Sequence, residues 1–194
     1  MRLGVPLIVA FALFCSACGY GFRSRSNPWA DKGVTKVYVQ TLTNNTLSAG
    51  VEVPFTSALV KEFARGGRLK LVSNEADADA VIEGSVDSFG STANSTTTVS
   101  ALAPADPQAQ GLTDAVIAVE YVVNASITVR LVKRHGGRLW EQQFSRPKVY
   151  PAGNRFGLQG STASLINSSQ EAIALDEIAE FIASDVHDTM LEAF

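Results

Sequence analysis

The chain contains 194 residues, of which 46% are hydrophobic and 18% are charged, and its formal net charge is −3. This composition fits a folded domain with a sizeable core and excludes wholesale disorder, collagen and coiled-coil architectures. Basic residues do not exceed acidic ones, so the overall charge gives no indication of a nucleic-acid partner. With only two cysteines and two histidines, a cysteine-rich zinc site and a dense disulfide framework are also excluded.

The first seventeen residues have the pattern of a signal peptide. A positive start precedes an apolar run over residues 3–14, which is too short to span a bilayer. The small residues Ser16 and Ala17 follow, and then Cys18. This order resembles the bacterial lipoprotein signal, in which the cysteine is acylated and becomes the first residue of the mature chain. We predict lipidation of Cys18; the alternative is a soluble secreted protein cleaved after Ala17.

The start of the mature chain reads as a tether followed by a strand, a helix and a second strand. Residues 18–33 contain three Gly and one Pro, and we predict that they form a tether. Residues 34–40 are rich in β-branched side chains that alternate in polarity, which predicts a strand. Residues 55–65 repeat apolar side chains at helical spacing until Gly66-Gly67 ends the helix. Residues 68–72 predict a short strand.

The clearest pattern in the sequence predicts a long β-hairpin. After a half-buried strand around residues 82–87, residues 116–134 alternate strictly, which predicts a strand with one buried face. Its apolar odd positions are Ile117, Val119, Tyr121, Val123, Ala125, Ile127, Val129 and Leu131. Residues 135–137 predict a turn, and residues 138–146 run back as its partner strand. Pro147 either ends that strand or marks a sheet edge.

A long polar segment separates two of the predicted strands. Residues 91–115 contain eight Ser or Thr, two Pro and no aromatic residue. A stretch of this length without an apolar pattern is typical of a functional or disordered loop. We predict a mobile surface loop here.

The C-terminal part of the chain predicts one more helix. Ser168 and Glu171 fit a capping box, and an apolar stripe follows at helical spacing. From residue 168 to the end there are seven acidic residues and no Lys or Arg, which is typical of a solvated helix face. The predicted fold class is α/β (α+β): residues 34–194 form one two-layer sandwich, with a mostly antiparallel or mixed sheet and two helices packed on one face.

Motifs for catalysis or for a bound cofactor are missing from the sequence. It has no G-x-S-x-G, no P-loop and no dinucleotide fingerprint before a helix. The two histidines have no nucleophile or metal partner at local spacing, and a lipidated Cys18 has no free thiol for catalysis. We predict a protein that is not an enzyme and that has no metal or cofactor.

Positive charge is concentrated in the predicted hairpin and the loop after it. From residue 130 to residue 155 there are seven basic residues against one acidic residue, Glu141. In a regular return strand, Trp140 and Phe144 share a face with Arg138 and Arg146. Cations beside aromatic rings suit a glycolipid that carries phosphates and acyl chains, whereas a core role for the rings and a solvated or barrel-docking role for the charges is the alternative. The candidate contact residues are Arg130, Lys133, Arg134, Arg138, Arg146, Lys148 and Arg155.

Several short motifs, in order, resemble the LPS-assembly lipoprotein family, LptE. The likeness covers most of residues 18–192 and depends on Cys18-Gly19-Tyr20-Gly21-Phe22-Arg23, Asn45-Thr46, Glu52, Thr56, Leu59, Phe63, Ala78-Asp79-Ala80, Gly84 and Glu120-Tyr121. The resemblance implies a lipoprotein that binds and plugs LptD, the outer-membrane β-barrel for LPS export. It also implies assistance to barrel assembly, binding of lipopolysaccharide, and a location at the outer membrane, on the periplasmic side or within the barrel lumen.

Two other classes of lipoprotein remain open from the sequence. An auxiliary lipoprotein of an ABC lipid transporter has a similar size and layout, and copurification with an inner-membrane permease would favour it. An activator of a cell-wall synthase usually carries a long disordered tether after its cysteine. The tether predicted here, residues 18–33, is short for that role.

Overall fold

The described residues form one six-stranded sheet and two long helices. The computed structural model describes residues 27–100, 114–156 and 160–192. The strands are β1 (Lys36–Val39), β2 (Thr43–Asn44), β3 (Lys70–Leu71), β4 (Ala80–Ser100), β5 (Asp114–Lys133) and β6 (Arg138–Pro151). The helices are α1 (Glu52–Gly66) and α2 (Gly160–Glu192), and short 3₁₀ helices cover Ala30–Lys32, Glu75–Asp77 and Gly153–Phe156.

The sheet is mixed, as the sequence predicts. Its strand order is β3-β1-β4-β5-β6, and β2 pairs with β4 outside this path. The short strand β1 runs parallel to both β3 and β4, whereas β4, β5 and β6 are antiparallel neighbours. The parallel pair β1 and β3 requires a crossover connection, which α1 supplies. The predicted two-layer α+β arrangement is therefore confirmed.

The core lies between the helices and one face of the sheet. Alternate residues of β5 from Val123 to Leu131 are buried, as are Val37 and Val39 of β1. They pack with helix side chains at helical spacing, Phe55, Leu59 and Phe63 of α1 and Leu175, Ile178, Ala179, Ile182 and Val186 of α2. The predicted burial fails for Ile117, Val119 and Tyr121, which are half-buried. Tyr121 lies where the described sheet has narrowed to β4, β5 and β6, and Ile117 and Val119 lie beyond the end of β6, so less of the fold covers these three residues.

The polar segment 91–115 is not a loop over its whole length. Residues 91–100 continue β4, and residues 114–115 begin β5, so the prediction of a loop is wrong at both ends. Thr is β-branched and favours extended backbone, and the pairing with β5 supplies the hydrogen bonds that a polar strand needs. Residues 101–113 lie outside the described residues.

The predicted tether ends earlier than residue 33. Residues 18–26 lie outside the described residues, but residues 27–33 belong to the folded domain. Trp29 is 1% exposed, and its indole Nε1 donates a hydrogen bond to the backbone oxygen of Met190, 3.1 Å away, near the end of α2. A large aromatic side chain within a Gly-containing segment therefore marks the start of the core.

The last helix and the last strand are both longer than predicted. Helix α2 begins at Gly160, so Ser168 does not cap it; the Ser168 hydroxyl instead donates to the Ser164 carbonyl, 3.1 Å away within the helix. Strand β6 continues through Pro147 to Pro151. It is an edge strand, and proline is tolerated there because its missing N–H need not break a hydrogen bond to a neighbouring strand. Across the three described ranges, no helix has the length and apolarity to cross a membrane.

Candidate ligand and partner contact site

The hairpin formed by β5 and β6 carries the candidate basic residues, and the structure divides them into two groups. Arg130, Lys133, Arg134 and Arg138 lie at or near the turn, a group that we call the tip cluster. Arg146 and Lys148 lie further along β6, about 26 Å and about 33 Å from Arg138 at the rise per residue of a strand. The backbone of Arg155 belongs to the 3₁₀ helix Gly153–Phe156, and its side chain is not among those described.

One carboxylate joins two arginines of the tip cluster. The Arg130 Nε lies 3.3 Å from Glu141 Oε1, and the Arg138 guanidinium pairs with the other oxygen of Glu141. Arg130 and Glu141 face each other across β5 and β6, so their pairing follows from the register. The Arg138 side chain is 59% exposed in spite of this pairing.

A β-bulge changes the face on which Arg138 lies. Leu131 opposes Trp140 but Val132 opposes Arg138, so the register shifts by one residue next to the turn. Because successive residues point to opposite faces, Arg138 lies on the face away from the helices, whereas Trp140 lies on the helix side. The prediction that Arg138 shares a face with Trp140 and Phe144 required a regular strand. The bulge makes β6 irregular at this point, so Arg138 lies on the opposite face from these two rings.

The other two tip residues are held against the body of the domain. Lys133 Nζ donates to the Lys32 carbonyl at 2.8 Å, and the Arg134 guanidinium donates to the Ala76 carbonyl. The backbone N–H of Arg134 donates to the Asp79 carbonyl at 3.1 Å. A shallow pocket lies between the tip and the body, lined in part by Gly33, Ala76, Asp77, Lys133, Arg134 and His135. The tip is therefore a fixed, partly exposed cationic surface.

Asp79 connects two strands at this end of the domain, a role that the sequence analysis does not predict. Its Oδ2 accepts hydrogen bonds from the Thr35 N–H at 2.9 Å, the Lys36 N–H at 2.8 Å and the Thr35 hydroxyl at 2.9 Å. The Thr35 N–H, followed by the Lys36 N–H, lowers the pKa of the Asp79 carboxyl below its usual value. Asp79 is the residue before β4, so its carboxylate joins the beginning of that strand to the start of β1, beside the tip cluster. The only signal in the sequence is Ala78-Asp79-Ala80 at the entrance to a strand.

We expect Asp79→Asn to lower the free energy of unfolding by about 1 kcal/mol, a small value for charge-assisted bonds because the carboxylate is partly solvated. A lowered pKa in the folded state stabilises the protein above the pKa of the unfolded chain, and this contribution is lost as the pH falls through the folded-state pKa. Urea unfolding of both proteins at neutral and acidic pH tests this: the difference should shrink on acidification. A difference that stays constant with pH would show that the charge of Asp79 contributes nothing.

The second basic group pairs with the acidic helix. Arg146 donates from Nε and Nη2 to Asp185 Oδ2, at 3.0 Å and 2.6 Å, and Lys148 pairs with Glu177. Glu180 of the same helix pairs with Lys61 of α1 at 2.6 Å. The predicted solvated acidic face of the last helix is therefore partly a set of ion pairs to its neighbours. Arg146 and Lys148 dock α2 on the sheet edge.

The two aromatic rings of β6 belong to the core side of the hairpin. Phe144 is 8% exposed, Trp140 is partly buried, and their ring centroids lie 6.1 Å apart. Phe144 opposes Ile127 across the strands, which places it in the main core. Of the two interpretations of these rings, the contacts favour the structural one. Among the described residues, no group of His, Cys, Asp or Glu could hold a metal ion.

Comparison with solved structures identifies the architecture. Uncharacterized lipoprotein B from Nitrosomonas europaea aligns with a TM-score of 0.52 at 14% identity, over 89% of this chain and 90% of that one. A protein from Xanthomonas campestris aligns with a TM-score of 0.52 at 9% identity, over 81% and 84% of the two chains. At these identities the likeness concerns the fold alone.

Comparison of the sequence itself gives the family. No curated protein matches the chain. The family model LptE, described as lipopolysaccharide-assembly, matches residues 34–190, from just before β1 almost to the end of α2. The match spans all six described strands, α1 and all of α2 except its last two residues. The chain belongs to the LptE family of lipopolysaccharide assembly.

Proposed function

We propose that this chain is an outer-membrane lipoprotein, acylated at Cys18, that binds the LPS-export β-barrel LptD, plugs it, and assists its assembly and the insertion of lipopolysaccharide. The observation that carries the proposal is the family match over residues 34–190. The lipoprotein-like order of Ser16, Ala17 and Cys18 supports the anchor. In this role the protein is not a catalyst, and its chemistry is that of binding surfaces.

Copurification from membranes tests the partner. An affinity-tagged full-length chain, extracted in mild detergent, should bring down a large outer-membrane β-barrel. Cys18→Ala is the matched variant for the anchor: it should lose labelling by a fatty-acid analogue and leave the outer-membrane fraction. Recovery of an inner-membrane permease in place of the barrel would contradict the proposal and favour the auxiliary lipoprotein of a lipid transporter.

We assign lipopolysaccharide contact to the tip cluster. Arg134 and Arg138 are exposed and lie within one turn, and arginine binds phosphate through paired N–H donors. Arg138 pairs with Glu141 of its own strand, whereas Arg146 and Lys148 pair with carboxylates of α2. A charge reversal there would place like charges between β6 and α2 as well as remove any ligand contact. The tip is therefore the part of the basic hairpin in which binding can be tested separately from folding.

Arg134→Glu combined with Arg138→Glu should weaken lipopolysaccharide binding by about tenfold or more, because charge-assisted contacts to phosphate become repulsive. Binding can be measured with purified lipopolysaccharide immobilised on beads. Arg65→Glu with Lys70→Glu is the matched control: these exposed cations at the end of α1 and on β3 give the same change in net charge. Equal loss in both variants would mean that binding follows net charge. Unchanged binding in the tip variant would remove the tip from the site.

A further inference from the structure

The first described residues fix the end of the domain from which the proposed lipid anchor extends. Asn27 Oδ1 accepts the Trp29 N–H at 2.9 Å, and the Trp29 indole donates to the Met190 carbonyl near the end of α2. Lys133 of the tip cluster donates to the Lys32 carbonyl at 2.8 Å. The chain therefore enters the domain at the end that carries the tip cluster. We call this the anchor end; it consists of residues 30–36, 65–79, 130–141 and 188–192.

The segment between the anchor and the domain is short compared with the domain itself. Eight residues, 19–26, separate Cys18 from Asn27. Fully extended, such a segment reaches about 30 Å. Helix α2, with 33 residues, is about 50 Å long, and it runs from the opposite end of the domain to the anchor end. An acylated Cys18 therefore keeps the anchor end near the bilayer and leaves the opposite end free to point away from the lipid anchor.

Charge is distributed unevenly between the anchor end and the rest of the domain. The anchor end contains nine basic and seven acidic residues, whereas the other described residues contain four basic and eleven acidic ones. The linking residues 19–26 add Arg23 and Arg25 and no acidic residue. An anionic bilayer surface attracts the anchor end and repels the rest of the domain, so electrostatics and the short link favour the same orientation.

We infer that the anchor end faces the headgroups of the leaflet that holds Cys18, and that its exposed cations contact anionic phospholipid there. The inference rests on the acylation of Cys18 in the proposed function. Arg65 of α1, Lys70 of β3 and Arg138 of β6 are among the exposed cations of this end. Attraction to an anionic surface falls off within a Debye length, about 10 Å, which side chains at the end of the domain can reach. This orientation is compatible with plugging, because it leaves the opposite end to enter the barrel.

Energy transfer from a labelled position to labelled lipid measures the orientation. The mature chain has no cysteine besides the acylated Cys18, so an introduced cysteine can be labelled alone. Gly137→Cys places a donor fluorophore in the turn of the tip, where no atom lies within 4 Å of an added Cβ. Leu47→Cys places it on a fully exposed residue near the opposite end. Between them, β4 extends about 20 Å from its pairing with Lys133 to its pairing with Asn44.

The acylated full chain is reconstituted in vesicles of phosphatidylcholine and phosphatidylglycerol that carry an acceptor on a trace of headgroups. Transfer from position 137 should exceed transfer from position 47 about twofold or more, because about 20 Å of strand separates the two positions. Arg65→Glu with Lys70→Glu should reduce this difference to the smaller value that the wild type shows in vesicles of phosphatidylcholine alone. In those neutral vesicles, the charge reversal should have no effect.

Flotation of the vesicles checks the anchor separately. A chain that does not float with them lacks the proposed acylation, and then both the anchor and the inference are wrong. Equal transfer from the two positions in a chain that floats overturns the inference alone, as does a difference that is the same in charged and neutral vesicles. The vesicles contain neither lipopolysaccharide nor a barrel, so these outcomes do not depend on the proposed ligand of the tip cluster.

Discussion

Replacing Ile127 by Asp is expected to leave the domain unfolded or close to unfolding at room temperature. Ile127 is 0% exposed and lies between Val86 of β4 and Phe144 of β6. Loss of its burial costs about 1.5–3 kcal/mol, and a carboxylate without a partner adds several kcal/mol more. The sum approaches the whole free energy of unfolding of an ordinary domain, about 5–15 kcal/mol. Chemical denaturation followed by circular dichroism measures the effect.

A matched substitution on the other face of the sheet separates burial from charge. Ser145 of β6 opposes Ser126, one position along β5 from Ile127, and its side chain is exposed. Ser145→Asp introduces the same charge into the same part of the sheet, and we expect a change within about 0.5 kcal/mol. A comparable loss of stability in the two variants would mean that the facing of β5 has been assigned wrongly.

The sequence predicts the parts of the fold in which one face is buried along a whole element. In β5 a period of two residues reports burial directly, and the structure confirms it from Val123 to Leu131. The apolar stripe of α2 is confirmed for the same reason. The strand character of residues 91–100 was missed because it depends on pairing with β5 rather than on an apolar face. Local patterns carry no information about a neighbour that is distant in sequence.

The candidate site was predictable only in part. The turn at residues 135–137 predicts that the tip residues lie together, and they do. The division of the basic residues depends on two features that no local pattern contains. One is the bulge beside Leu131, which moves Arg138 to the outer face. The other is the position of α2, whose acidic residues pair with Arg146 and Lys148.

Trp29→Ala is expected to lower the free energy of unfolding by about 3–5 kcal/mol, the usual range for truncating a buried large aromatic residue. The ring is 1% exposed, and Lys32 Nζ lies 4.7 Å from its centroid. The backbone oxygen of Trp29 also accepts the N–H groups of Lys32 and Val34, each at 3.1 Å. The indole hydrogen bond to the Met190 carbonyl joins this segment to the end of α2. Thermal unfolding should shift by about 10 °C for a domain of this size.

Trp29→Phe distinguishes packing from hydrogen bonding at the same position. Phenylalanine keeps most of the buried apolar area but cannot donate to the Met190 carbonyl, so we expect a loss of about 1–2 kcal/mol. A graded response, with alanine far worse than phenylalanine, indicates that residues 27–33 are part of the core. If Trp29→Ala melts like the wild type, this segment contributes no stability and behaves as the tether that its composition predicts. The proposed lipid anchor would then join the domain at β1 rather than at the end of α2.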